Sequence, residues 1–159
     1  MNSFVATAAP AVAASSIDGT LTNDGFFPDI DLSALRDAMR LDGTVTRERL
    51  AHAARDAMLT VNDELSAWRA QRRAAGAVSL DAVPAVQVDG ESKLDYLYRR
   101  AVYHLAHADV TEKYRGFDST KSGGQAAAEL AATVEESRRN ARWAVSDILG
   151  IPRSTVELI

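Results

Sequence analysis

The chain has 159 residues with a net charge of −4, enough for one domain of ordinary size. It is 47% hydrophobic, but 29 residues are alanine and only ten are aromatic, which favours closely packed helices over a deep apolar cofactor pocket. The absence of cysteine excludes disulfides and thiolate metal sites, and no apolar run is long enough to span a membrane.

Residues 1–31 carry Asp18, Asp24, Asp29 and Asp31 and no basic side chain, whereas the remainder holds 18 acidic and 18 basic residues. A neutral body argues against a free-standing DNA-binding domain, which normally carries a basic excess. The apolar stretch from Ala6 to Ala14 lacks the positive flank of a secretory signal, since the first Arg is Arg36 and the first Lys is Lys93. Residues 1–25 show neither helical nor strand periodicity and are expected to form an extended N-terminal arm.

Phe26, Phe27 and Pro28 follow as the expected anchor of that arm on a helical body. Pro28 holds Phe27 extended, so the two rings cannot belong to one regular helix. A short helix from Leu32 to Leu41 comes next, with Asp31 as its cap. The first long helix is expected over 46–75, where Leu50, Ala54, Ala57, Val61, Leu65 and Trp68 recur at spacings of three and four. Gly76 stands where that helix should stop.

Residues 77–90 read as a connector. In it Asp89-Gly90 leads, as a turn, into a second long helix over 91–115 with a stripe that includes Leu97 and Leu105. A polar loop at 118–124 precedes a third long helix over 125–149, lined by Leu130, Val134, Val145 and Ile148 and closed by Gly150. Trp143 of this helix is also assigned to the core. Residues 151–159 change character: Thr155-Val156-Glu157-Leu158-Ile159 is β-forming, and a lone strand needs an edge to join.

The expected fold is therefore all-α: an antiparallel bundle of three long helices plus a short N-terminal helix, with extended N- and C-terminal arms. The divisions are an arm at 1–25, a helical body at 26–150 and a C-terminal extended segment at 151–159. The expected core comprises Leu50, Val61, Leu65, Trp68, Leu97, Leu105, Leu130, Val134, Trp143 and Ile148.

Chemistry-bearing patterns are sparse. His104 and His107 lie three apart on one helix beside Asp109, but no HExxH and no Glu-x-x-His partner accompanies them. Asp89-Gly90-Glu91-Ser92-Lys93 is not a phosphate loop, and Ser122-Gly123-Gly124 is explained by a turn between helices. No nucleophile, base and orienting group stand in recognisable relation, and Glu135 and Glu136 are adjacent on a helix and point apart. No catalytic, cofactor or metal residues are expected. The arginine clusters are offset by neighbouring acids and lack interleaved aromatics, which favours ion pairs within or between subunits over nucleic-acid contact. A helical nucleic-acid-binding regulator and a histidine-dependent enzyme are the rival readings.

Several short stretches, in order, resemble one family. They are Phe26-Phe27-Pro28-Asp29-Ile30-Asp31, Met39-Arg40-Leu41 with Thr44-Val45, and Asp89-Gly90-Glu91-Ser92. Then come Tyr114-Arg115-Gly116 with Asp118, Arg142-Trp143-Ala144-Val145, and Gly150-Ile151-Pro152-Arg153. Together they resemble the head completion proteins of temperate contractile-tailed phages of the Peduovirus type, over about residues 26–159. The resemblance implies a structural virion protein of the neck region, assembled in the host cytoplasm. It implies binding to the portal protein after DNA packaging, as a head-to-tail connector that closes the filled head and offers a surface for tail attachment. Its implied partners are the portal, neighbouring copies in a dodecameric ring, and a tail-completion or neck protein. Packaged DNA would pass through without sequence-specific contact, and no membrane is involved. Arg153, Ser154, Thr155, Val156, Glu157, Leu158 and Ile159 are the expected portal-docking segment.

Overall fold

The computed structural model describes residues 18–115 and 123–152. Most of them are helical, with two small antiparallel ribbons added. Strand β1 (Thr20–Leu21) pairs with β2 (Ile30–Asp31), in the register Thr20 to Asp31 and Leu21 to Ile30. Helix α1 (Leu32–Ala38) follows, then α2 (Arg47–Glu64) and α3 (Ser66–Ala74). A second ribbon, β3 (Gln87–Val88) with β4 (Glu91–Ser92), leads into α4 (Lys93–Arg115) and α5 (Gly123–Leu149).

Local chemistry accounts for the boundaries. The Asp31 carboxylate accepts from the N–H groups of Ser33 (2.8 Å) and Ala34 (3.0 Å) and so caps α1. Helix α1 ends at Ala38, earlier than expected, because Arg40 takes the left-handed conformation at φ 53°. There the N–H of Leu41 reaches the carbonyl of Arg36 and that of Arg40 reaches Asp37, a closure normally given to glycine. Gly76 closes α3 in the same way, with Ala77 N–H on Arg72 O and Gly76 N–H on Arg73 O.

The rod expected over 46–75 is two helices. Leu65 sits between them at φ −92°, ψ 2°, although its N–H still reaches Val61 O and its carbonyl still accepts from Arg69. The stripe survives the break: Leu50, Ala54, Ala57, Val61, Leu65 and Trp68 are all buried. The connector is more ordered than expected. Asp89 and Gly90, both at positive φ, form the two-residue turn of the β3–β4 hairpin, whose twist suits the flanking strands. The all-α expectation holds in outline: the described chain is mostly helical, with two small ribbons added.

Helix α4 packs against both α2 and α5. Tyr98 meets Asn62 near the start of α4, whereas Leu105, Ala108 and Ala53 line one groove further along, so α4 runs antiparallel to α2. Helix α5 is joined to α4 through the His107–Ser137 and Glu112–Arg138 contacts. One core joins all three helices, α1 and the Phe26-Phe27 segment.

Leu50, Val61, Leu65, Trp68, Leu97, Val134 and Ile148 are buried. Three assigned core positions differ. Leu105 is only partly buried at the edge of the core, Trp143 is half-buried, and Leu130 is 37% exposed. Leu130 lies on the exposed stretch of α5 that precedes Val134, the first buried position of that helix among those described.

Residues 18–25, expected in the arm, belong to the body. Leu32 N–H donates to Gly19 O, and the Arg36 guanidinium holds the Asp18 carboxylate at 2.6 Å. The remaining arm residues, 1–17, and the segment 153–159 lie outside the described residues, as does most of the loop expected at 118–124.

Candidate interaction surfaces

The expected anchor is a dense clasp. Phe26 and Phe27 meet edge to face at 5.1 Å, and Phe27 stacks on Tyr98 of α4 at 4.7 Å with the rings nearly parallel. Arg69 and Arg73 of α3 lie over Phe27 and Phe26, at 5.8 and 5.3 Å from the ring centres. The Asp24 carboxylate pairs with Arg69 and accepts from the backbone N–H of Phe26 and Phe27. Burial works to raise the Asp24 pKa, but those N–H groups and Arg69 outweigh it and hold the carboxyl below its usual range. Leu80 N–H donates to Phe26 O at 2.8 Å, pinning the connector onto the same clasp. Pro28 is partly exposed, and its carbonyl accepts from Asn23.

Around this clasp lies a polar triad that no sequence pattern signals. The Tyr98 hydroxyl donates to Asn62 Oδ1 (2.6 Å) and accepts from Asn23 Nδ2 (2.8 Å), while Asn62 Nδ2 donates to Asn23 Oδ1 (2.9 Å). It joins the N-terminal loop, α2 and α4, three segments far apart in the chain. Burial drives the Tyr98 pKa well above its ordinary value, so the hydroxyl keeps its proton.

The two histidines on α4 are half-buried against α5. His107 Nδ1 is 2.8 Å from the Ser137 hydroxyl, and burial lowers the pKa of both rings, so both are neutral at pH 7. Among the described residues no group of three His, Asp or Glu is arranged to hold a metal. Asp95, on the first turn of α4, is buried with one carboxylate oxygen unpartnered, and burial raises its pKa.

The arginine clusters resolve mainly into ion pairs within the chain. Arg138 bridges Glu112 (2.5 Å) and Glu135 (3.0 Å), Arg139 reaches Glu136 (3.8 Å) while lying over Trp143, and Arg99 pairs with Glu91. Arg72 and Arg73 on α3 have no carboxylate partner among the described residues. Three helices also enclose an open groove. Its floor is Ala53, Ala57 and Ala108, and its rim carries Asp56, Asp109 and Glu112, with Arg138 on Glu112 and Lys113 on Asp109. Exposed apolar side chains stand elsewhere, at Leu59 on α2, Val78 and Val86 in the connector, Val88 on β3, Tyr96 on the first turn of α4 and Ile151 beyond α5. Among the described residues no helix is long and apolar enough to cross a membrane.

These features describe a helical body whose polar chemistry goes into structure and contact surface, the pattern of an assembly component. The comparisons with known proteins agree. The family described as phage head completion protein (GPL) matches residues 21–159, so the chain belongs to that family. It is 42% identical over 139 residues to the head completion/stabilization protein of Escherichia phage P2, covering 87% of this chain and 82% of that protein. No solved structure matches. The chain is a structural head completion protein and a virion component.

Proposed function

We propose that this protein binds the exposed face of the portal once DNA is packaged, closes the filled head in the neck region, and presents the surface on which the tail attaches. The observation that carries the reading is the family match across almost the whole described body. Copies stand side by side as a closed ring, where many weak contacts act together with strong avidity. The helical bundle serves as a rigid spacer. Residues 153–159 are the portal-docking segment, and the β-forming run Thr155–Ile159 adds a strand to an open edge of the portal. Helix α5 ends at Leu149 and is closed by Gly150 at positive φ, with Ile151 N–H donating to Ser146 O and the Ile151 side chain exposed. Packaged DNA passes through the ring without sequence-specific contact, as suits a body with balanced charge.

Deletion of 153–159 tests the docking role. The truncated chain should keep its helical circular dichroism and its unfolding midpoint. It should no longer sediment with filled, portal-containing heads. Normal attachment of the truncated protein to heads would refute the assignment.

A further inference from the structure

We infer that copies of this chain associate head to tail, the cationic end of α3 on one copy seating in the acid-rimmed groove between α2, α4 and α5 of the next. This rests on the ring proposed above and supplies its contact.

The first half of the argument is α3. Between Ser66 and Ala75 it carries Arg69, Arg72 and Arg73 and no acidic side chain. Arg69 is used by Asp24. Arg72 lies over the Trp68 ring at 5.0 Å and Arg73 over Phe26 at 5.3 Å. Both are exposed residues. Stacking orders a guanidinium while leaving its edge free to donate two parallel hydrogen bonds to a carboxylate. Two cations are therefore pre-positioned at low entropic cost, with no acid among the described residues to receive them.

The second half is the groove. Its alanine floor is buried, with Ala53 at 1% and Ala108 at 2% exposure, and the small side chains leave room for a long one to enter. The rim has three carboxylates against two bases, Arg138 on Glu112 and Lys113 on Asp109, which leaves one net negative charge and Asp56 as the acid with no Lys or Arg partner among the described residues. Asp56 meets only the exposed ring of His52 (3.2 Å). Such a surface repels nucleic acid and suits an arginine-bearing helix end.

The two surfaces do not meet within one molecule: Asp56 lies on α2 with its carboxylate beside His52, whereas Arg72 and Arg73 lie on α3, past the break at Leu65, over Trp68 and Phe26. Two different complementary patches, each able to act at the same time, make a heterologous contact, and a heterologous contact that closes on itself makes a ring.

Charge exchange on assembled heads tests this. One chain carries Arg72→Glu with Arg73→Glu, a second carries Asp56→Arg with Asp109→Arg, and a third carries all four. Each two-site reversal should lower the amount of protein retained on filled heads at least about tenfold, and the four-site chain should regain most of it. Retention at the unaltered level in either two-site chain, or no recovery in the four-site chain, overturns the contact. A charge-preserving chain with Thr60→Cys and Gln71→Cys covers the case of a variant that fails to fold, and the cysteine-free background keeps it clean. A short bismaleimide on assembled heads should give a ladder of dimers, trimers and higher species. Dimers alone, or no cross-linking, overturn the head-to-tail arrangement. If the unaltered protein does not bind heads at all, the portal reading fails instead, whichever result the cross-linking gives.

Discussion

The Phe26–Tyr98 clasp and the first turns of α5 are held in place by opposite means. In the clasp, Phe26, Phe27 and Tyr98 bury almost all their surface, and the Tyr98 hydroxyl is satisfied by two partly buried asparagines, Asn23 and Asn62. At the start of α5, Glu129, Leu130 and Ala132 face solvent, and the first inward position after them is Val134. From there onward Arg138 ties α5 to Glu112 with exposed ion pairs, which contribute little each. Both regions carry apolar residues in a helical or anchoring pattern. The difference lies in whether another segment stands opposite to cover them.

That contrast sets the order of expected effects. Phe27→Ala, which empties a ring site in the clasp, should cost about 3–5 kcal/mol in urea unfolding at pH 7. A cost below about 1 kcal/mol would mean that the clasp does not contribute to the core as its burial implies. Tyr98→Phe keeps the ring but strands Asn62 Oδ1 and one of the two Asn23 Nδ2 hydrogens, the other staying on Pro28 O, for an expected loss of about 1–3 kcal/mol. A neutral result would indicate that water replaces the hydroxyl. Arg40→Gly should stabilise by about 0.4–1 kcal/mol, because its φ of 53° is left-handed and glycine adopts it without the Cβ penalty. Loss of stability there would show that the Arg40 side chain makes a contact of greater value. Leu130→Ala should change stability by less than about 0.5 kcal/mol, despite removing a large apolar side chain. A cost near that of Phe27→Ala would erase the difference between the two regions.

Much of this was legible from particular residues. The Leu50–Trp68 spacing marked a buried face, Asp31 marked a helix start, and Gly76 and Gly150 marked stops, because these signals depend on neighbours within a few positions. The Asp89-Gly90 turn was seen, but its hairpin was not, since Gln87-Val88 and Glu91-Ser92 are too short to show a strand period. Asn23 and Asn62 gave no signal at all: isolated asparagines in a loop and on a helix become a triad only when Tyr98 arrives between them.

What the amino-acid order settled by itself was the helical character and the faces that turn inward along most of each helix. Only the tertiary structure decided how far each face is covered. Helix ends and helix packing determine that Leu130 stays exposed, that Leu65 breaks a rod, and that Asp56, Asp109 and Glu112 gather around one groove. Periodicity reports the direction a side chain points on its own helix, whereas burial and charge grouping depend on which other segments stand opposite it.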